Sequence, residues 1–322
     1  MSSDKFQRNY DRTRGYLDNM GGLEPRAVLN SVYSVLPVAF DTPERQAQVR
    51  ALYRPAVTRR LTVFDINLVR TFVQGRGLKI AICCMPKSGS THIMTSLERL
   101  PDIDLAVTYL HKPYMNPDFV GAMSVEHEID ELSLLFLEMR GGNWVSHMHT
   151  KWTPYTERVF AAHNIRPIVV FRNIFDAIVS MDDMLRKDQV SGFSMIRVPE
   201  NYAAIPDDER LSFLCGYVGP WYLDYVVSWS RMQGPHLKLY YEEDVLGFGA
   251  QTIAKLRDFL GLSNVTDEQF AEAFQLTDDV KSRSRWNQGV AGRGEQIPAD
   301  ARERLRTLAR IYEKEVDFSK VM

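Results

Sequence analysis

After Gly77, the apolar residues of the chain follow two alternating patterns. Short apolar runs alternate with longer stretches in which apolar residues recur every three to four positions. Short runs bounded by turn residues are typical of buried strands, and the longer spacing is typical of amphipathic helices. Strands that alternate with helices favour a parallel sheet wrapped by helices. We therefore predict an α/β fold in which residues 77–322 form a single globular domain around a central parallel sheet flanked by helices.

Each predicted element follows from its local pattern. The predicted strands are Leu78–Cys84, Ile103–Thr108, Trp144–Met148, Arg166–Phe171 and Leu237–Tyr241. The predicted helices are Ser90–Leu100, Val125–Met139, Tyr155–Ala162, Ile174–Lys187, Leu211–Met232, Ala250–Leu260, Glu268–Phe274 and Pro298–Tyr312. Residues 188–209 hold many turn-forming residues and are predicted to be a long loop over the sheet. Residues 1–76 are predicted to be a helical extension packed on the core, with Leu61–Val73 as one of its helices.

Composition excludes several classes of protein. Hydrophobic residues make up 45% and charged residues 25% of the 322 residues, as in ordinary globular proteins. A formal net charge of −2 argues against a general nucleic-acid binder. The apolar runs are far shorter than the roughly 18 residues of a membrane span, and the polar N-terminus has no signal-peptide core. Two of the three cysteines are adjacent in a predicted strand, so a disulfide framework is not expected. A chain without one fits a reducing cytoplasm.

The first candidate site is the turn between the first predicted strand and the helix that follows it. It reads Met85-Pro86-Lys87-Ser88-Gly89-Ser90-Thr91-His92. Amide N–H groups at the start of a helix lack internal partners and attract anions, and the lysine and hydroxyls add donors. The loop is not a Walker A loop, in which the lysine follows the last glycine. A plain turn whose Ser and Thr cap the helix explains the same residues.

A second strand-to-helix corner carries an arginine. Arg172 ends the predicted strand Arg166–Phe171, and Ser180 lies eight residues further, about two helical turns away. Ligands of open α/β sheets bind at the carboxyl ends of the strands, so Arg172 could meet a second phosphate there. An i, i+4 ion pair between Arg172 and Asp176, with Ser180 as a small packing residue, is the other reading.

Together these motifs resemble the sulfotransferases that use 3′-phosphoadenosine-5′-phosphosulfate (PAPS). The first loop is similar to their PKSGTTW loop, and the second corner is similar to their R-N-x-x-D-x-x-V-S motif. Three weaker similarities follow in the same order along residues 77–297: Gly219-Pro220-Trp221-Tyr222 to Trp229, Leu239-Tyr240-Tyr241-Glu242-Glu243, and Gly289-Val290-Ala291-Gly292. The resemblance implies the P-loop NTPase-like sulfotransferase fold and transfer of a sulfuryl group from PAPS, with PAP (adenosine 3′,5′-bisphosphate) as product.

The resemblance also implies a role for each matching position. Lys87 would contact the bridging oxygen and the 5′-phosphosulfate, with Ser88, Gly89, Ser90 and Thr91 as further donors. Arg172 and Ser180 would bind the 3′-phosphate, Tyr241 would lie near the adenine, and Gly289 belongs to the C-terminal glycine loop. His92 replaces the family's adenine-stacking Trp, and Asn287-Gln288 replaces its Arg-Lys pair. Arg285 or Arg293 could supply the missing charge, and we favour Arg293.

The base is sought among the histidines. Two of the seven lie in His147-Met148-His149, and His149 precedes Arg172 by 23 residues, close to the spacing of the family's catalytic histidine. A histidine suits proton removal near neutral pH. The resemblance implies that His149 is the base and that His147 takes the place of a lysine that stabilises the transferring group. Lys151 is the nearby residue that could compensate for that lysine. A hydrogen-bonded pair at a strand end and a metal site are the other readings, but no third ligand is visible in the sequence and the chemistry needs no metal.

The acceptor side is less defined. His111, Phe193 and Trp221 are candidate substrate contacts, with Met195 and Tyr202 as further apolar walls. The predicted acceptor is a small molecule with a hydroxyl or amine, and a homodimer is the predicted assembly. An ATP-dependent phosphotransferase and a non-catalytic nucleotide-binding protein of the same fold remain as alternatives.

Overall fold

The computed structural model describes residues 77–106, 108, 129, 131–187, 198–199, 201–278 and 289–322, together with residues 7 and 11. Its strands are β1 (Lys79–Cys84), β2 (Ile103–Ala106), β3 (Asn143–Met148), β4 (Ile165–Phe171) and β5 (Leu237–Tyr240). Its helices are α1 (Ser90–Arg99), α2 (Glu131–Arg140), α3 (Pro154–Ala162), α4 (Ile174–Lys187), α5 (Asp207–Tyr217), α6 (Gly219–Ser230), α7 (Ala250–Leu260), α8 (Asp267–Ala273) and α9 (Ala299–Arg310). Short 3₁₀ turns cover Tyr202–Ala204 and Arg293–Gln296, and a π-helical turn covers Tyr241–Val245.

The five strands form one parallel sheet in the order β2-β3-β1-β4-β5. The predicted α/β fold with a central parallel sheet is confirmed. β1 lies in the middle, and its neighbours are β3 and β4. The carboxyl ends of these three strands are therefore adjacent at one edge of the sheet, which is the edge where parallel sheets bind ligands.

Both faces of the sheet are covered, as a parallel sheet requires. Alternate residues of β1 point to opposite faces. Ala81 and Cys83 join a core packed mainly by α3, α4, α5, α6 and α9. Ile80, Ile82 and Cys84 join a second core packed by α1, α7 and α8. Every residue of β1 is buried, which explains the continuous apolar run Ile80–Cys84, and the one charged residue, Lys79, is paired with Glu138.

The structure corrects two predictions. The stretch Leu211–Met232, predicted as one helix, is two helices that meet at Val218. Pro220 lies in the first turn of α6, where a backbone N–H has no partner within the helix and its absence costs nothing. In one continuous helix Pro220 would lie in the interior, where that N–H is needed for a hydrogen bond. The predicted loop 188–209 contains a 3₁₀ turn, and α5 already begins at Asp207, since three acidic residues favour a helix N-terminus.

Other predictions fall on parts of the chain that are not described. The extension 1–76 lies outside the described residues except for positions 7 and 11, as do most of residues 107–130 and residues 188–197. Within the described part of the chain, none of the helices combines the length and the apolar character needed to cross a membrane.

Candidate active site

The turn after β1 is a tight loop held by its own side chains and by α6. Lys87 and Gly89 both have left-handed backbone, with φ of 67° and 76°. The Ser88 hydroxyl donates to the Met85 carbonyl at 2.7 Å, and the Tyr222 hydroxyl donates to the Pro86 carbonyl at 3.1 Å. A lysine in this conformation is uncommon, and such strain is concentrated at functional sites.

Gly89 is the residue on which α1 begins, and Tyr241 packs directly against it. A Cβ atom on Gly89 would lie 2.7 Å and 2.8 Å from two carbon atoms of the Tyr241 ring. Glycine thus meets two requirements at once, the positive φ and the close approach of the ring. The ring of Tyr241, predicted to lie near a nucleotide base, therefore forms one wall beside the loop.

Arg172 connects the two strand-to-helix corners. Its Nη1 donates to the Lys87 carbonyl at 2.6 Å, and its guanidinium lies 4.1 Å from the centre of the Tyr241 ring. The side chain is only 5% exposed, and its Nε has no hydrogen-bond partner among the described residues. A buried cation with an unused donor can bind an anion, because burying a charge without compensation is costly.

The alternative reading of the second corner, an ion pair between Arg172 and Asp176, is not found in the structure. Asp176 instead accepts the backbone N–H groups of Gly292 and Gly294, at 2.7 Å and 2.6 Å. These bonds attach the C-terminal glycine loop, which includes Gly289, to the first turn of α4. The loop at residues 289–292, which carries the weak similarity, therefore lies close to the second corner.

His147 and His149 lie at the end of β3, beside the phosphate loop. The Nε2 atom of His147 is 2.9 Å from the Ser90 hydroxyl and 3.2 Å from the Cys84 sulfur. The Nδ1 atom of His149 is 3.0 Å from the Cys84 carbonyl and 3.3 Å from the Cys84 sulfur. A carbonyl oxygen only accepts hydrogen bonds. The contact with the Cys84 carbonyl therefore places the ring proton of His149 on Nδ1 and leaves the lone pair on Nε2.

Burial keeps both imidazoles neutral. Burial, opposed by the hydrogen bond to Cys84 and assisted by the charge of Lys87, lowers the pKa of His149 to about 4. It lowers the pKa of His147 to about 3, with a smaller contribution from His149. Burial raises the pKa of the Cys84 thiol to about 12. The ring of His149 is thus in the form that can accept a proton at neutral pH.

The remaining predicted site residues are spread around this centre. Ser180 is buried on α4, and Thr91 is half-buried in the first turn of α1. His92 is buried and lies edge-on to Phe274, with 5.9 Å between ring centres. Arg293 donates to Asp183 at 2.6 Å, so its charge is paired within the protein.

The candidate acceptor contacts are only partly described. Trp221 is buried and stacks on Tyr225, and the Lys151 ammonium lies 5.6 Å from its ring centre. Tyr202 is buried and donates to Asp182 at 2.8 Å, so it belongs to the packing beneath α4 rather than to an apolar wall. His111, Phe193 and Met195 lie outside the described residues, as do Arg285, Asn287 and Gln288.

Cys84 is the site residue that the sequence analysis missed. It reads as one more apolar residue of a buried strand, and its contacts with His147 and His149 come from another strand. No local sequence pattern indicates this contact. It depends on the strand order, since the thiol meets the histidines only because β1 and β3 are neighbours.

Comparisons with known proteins were made for the whole chain. Neither a protein-family model nor a curated protein sequence matches it. The chain is similar to the structure of the mouse sulfotransferase SULT7A1 in complex with PAP, at 19% identity, over 79% of this chain and 88% of that one, with a TM-score of 0.48. It is also similar to the sulfotransferase STF9 from Mycobacterium avium, at 13% identity, over 100% and 98% of the two chains, with a TM-score of 0.43. A third similarity is to a sulfotransferase from Alicyclobacillus acidocaldarius, at 17% identity, over 72% and 96%, with a TM-score of 0.36.

Proposed function

We propose that this chain is a sulfotransferase that transfers a sulfuryl group from PAPS to a hydroxyl or amine of a small-molecule acceptor. The observation that carries the proposal is the hydrogen bond from Arg172 to the Lys87 carbonyl, which joins the two strand-to-helix corners. PAPS is charged at both ends of its ribose, with a 3′-phosphate and a 5′-phosphosulfate. Two cationic corners in contact suit a ligand with two anionic groups better than they suit a ligand with one phosphate.

The first corner would bind the 5′-phosphosulfate. Lys87 supplies the charge, and Gly89, Ser90 and Thr91 begin α1, whose N-terminus attracts anions. The hydroxyl of Ser88 already donates to Met85, so we assign its contribution to the backbone N–H.

The second corner would bind the 3′-phosphate. The buried Nε of Arg172 is the donor we assign to that phosphate, with the Ser180 hydroxyl as the second. Tyr241 and His92 would lie beside the adenine, and Gly289 would lie in the loop near the ribose. Arg293 could reach the phosphate only by giving up its bond to Asp183.

His149 is the proposed base. The hydrogen bond of its Nδ1 to the Cys84 carbonyl orients the ring and leaves the lone pair on Nε2. As the acceptor oxygen or nitrogen attacks sulfur, its proton moves to Nε2. The bond between sulfur and the bridging oxygen breaks in line, and PAP leaves with the negative charge. Lys87 stabilises the charge on the bridging oxygen, and His147 lies beside the transferring group.

We further propose a small alcohol, phenol or amine as acceptor, with no metal in the transfer step. His111, Phe193 and Trp221 are the proposed acceptor contacts. The cytoplasmic location is supported by the three cysteines, all of which are buried as thiols. A homodimer remains a prediction that gel filtration can test.

The experiment is a PAPS-dependent transfer screen across phenols, alcohols and amines, in which mass spectrometry detects each sulfated product. We expect a sulfated product without added Mg²⁺. Lys87→Ala and His149→Ala should each lower kcat by on the order of 10²–10³ while the protein stays folded. Near wild-type turnover in either variant would reject that residue's role.

A thermal-shift measurement separates the alternatives. PAP should raise Tm in the absence of Mg²⁺, and ATP should raise it much less. PAP binding without transfer to any acceptor would indicate a non-catalytic binding protein. A requirement for ATP and Mg²⁺ would indicate a phosphotransferase.

A further inference from the structure

Three potential metal ligands meet beneath the phosphate loop. The sulfur of Cys84 lies 3.2 Å from Nε2 of His147 and 3.3 Å from Nδ1 of His149. The three atoms all lie within 4.8 Å of one another. Cys84 ends β1, and His147 and His149 lie at the carboxyl end of the neighbouring strand β3, inside it and just after it.

These distances are close to those of a tetrahedral zinc site. Zinc binds thiolate at about 2.3 Å and imidazole at about 2.0–2.1 Å, so a sulfur and a nitrogen on the same ion lie about 3.5 Å apart. The observed separations are within a few tenths of an ångström of that value. The two ring nitrogens lie within 4.8 Å of each other, and rotation of the imidazoles would bring them to the roughly 3.3 Å that a tetrahedral ion requires.

The set of donor atoms also suits zinc. One cysteine and two histidines are ligands that Zn²⁺ prefers over Mg²⁺ or Ca²⁺, which take oxygen ligands. His147 is half-buried, whereas Cys84 and His149 are buried, so an ion would enter on the side of His147.

We propose that Cys84, His147 and His149 form a Zn²⁺ site that has three protein ligands and a fourth position open to water. The thiol of Cys84 releases its proton to solvent when the sulfur binds the ion. Nδ1 of His149 then binds zinc instead of donating to the Cys84 carbonyl, and Nε2 of His147 leaves the Ser90 hydroxyl.

Bound zinc would change the chemistry of His149. With Nδ1 on the ion, the ring proton of the neutral imidazole resides on Nε2, the atom proposed above to accept the proton of the acceptor. Zinc would therefore inhibit sulfuryl transfer reversibly. This consequence rests on the proposed function, whereas binding of the ion does not.

The direct test is a titration of the purified full-length protein with Co²⁺, after dialysis against a chelator. Co²⁺ takes zinc sites and reports a thiolate ligand by a charge-transfer absorption band. We expect one Co²⁺ per chain with this band, and its loss when Zn²⁺ is added. A folded wild-type protein without the band overturns the proposal, whether or not any variant folds.

Two cysteine variants of the same strand provide a matched pair. Cys84→Ala should abolish the band and weaken Co²⁺ binding by more than the roughly 10–100-fold that loss of an outer-shell partner costs. Cys83→Ala should retain the band, because Cys83 is equally buried but packs in the core on the opposite face of the sheet. An equal band in both variants would overturn the proposal. His147→Gln provides a second variant if Cys84→Ala does not fold.

Activity is a separate readout. Once an acceptor is known, Zn²⁺ should inhibit the wild-type enzyme, a chelator should restore turnover, and the inhibition constant should rise at least about 10-fold in Cys84→Ala. Zinc binding without any transferase activity would defeat the proposed function and leave the metal site standing. Transfer that zinc does not inhibit, with no cobalt band, would defeat the metal site alone.

Discussion

Replacing Gly89 with alanine tests how the phosphate loop is packed. The new methyl group meets two separate costs. Gly89 has a φ of 76°, and left-handed backbone costs a residue with a Cβ about 1–2 kcal/mol. The methyl group would also lie 2.7 Å and 2.8 Å from carbons of the Tyr241 ring, and overpacking of this kind costs about 1–3 kcal/mol. We expect Gly89→Ala to lower the free energy of unfolding by about 2–5 kcal/mol.

Gly141 offers a matched control. Its φ is 66°, but a Cβ atom there would meet nothing within 4 Å. Gly141→Ala should therefore pay only the backbone cost of about 1–2 kcal/mol. The difference between the two variants measures the packing cost at Gly89, where Tyr241 is the nearest contact and Val245 lies at 3.2 Å. In the double variant Gly89→Ala with Tyr241→Ala, about 1–3 kcal/mol should be recovered relative to the sum of the single effects.

Urea unfolding followed by tryptophan fluorescence measures these free energies. The midpoint should shift without a change in the slope of the transition, since neither variant changes the surface exposed on unfolding. If Gly89→Ala destabilises the protein no more than Gly141→Ala does, or if the double variant shows no coupling, then Tyr241 does not pack against the loop as described.

The remaining predictions concern ligand binding and pH. Arg172→Lys retains the charge but loses the stacked guanidinium, so calorimetry should show PAP binding roughly 10–100-fold weaker. Arg166 lies on β4, the strand that Arg172 follows, but is bonded to the Phe259 carbonyl; Arg166→Lys should therefore bind PAP as wild type does, and equal affinities in the two variants would refute the assignment. Burial, and secondarily Arg99, lowers the pKa of His92 from 6.5 to about 4. Its contribution to stability is therefore complete above pH 6.5 and is lost as the pH falls towards 4. By pH 5 the loss is about 2 kcal/mol, so urea unfolding of His92→Leu should depend less on pH than that of wild type by this amount. An unchanged pH dependence would contradict the burial of His92.

Much of the sheet could be predicted because β1 and β4 are buried on both faces. Such strands read as continuous apolar runs, and the turns after them carry the residues that bind anions. The two corners are adjacent because β1 and β4 are neighbours, and this adjacency follows from the strand order rather than from either motif. The motifs indicated where each corner begins, and the topology supplied the contact between Arg172 and Lys87.

The features that the sequence could not indicate involve partners from distant parts of the chain. Asp176 lies at the i, i+4 position expected for a pair with Arg172, but two backbone N–H groups from residues 292–294 bind it instead. Cys84 has no local signal at all, since its neighbours His147 and His149 are more than 60 positions away. The break before α6 was predictable in principle, because Pro220 follows Gly219 directly and marks a helix start.

The central claim is that the two corners together bind a nucleotide with phosphates at both the 3′ and 5′ positions. Isothermal titration calorimetry of the purified protein with PAP and with 5′-AMP, both without Mg²⁺, tests it most directly. We predict one PAP per chain, with 5′-AMP bound at least about 10-fold more weakly because it lacks the phosphate that Arg172 would contact. Equal affinities for the two nucleotides, or no binding of PAP, would contradict the claim.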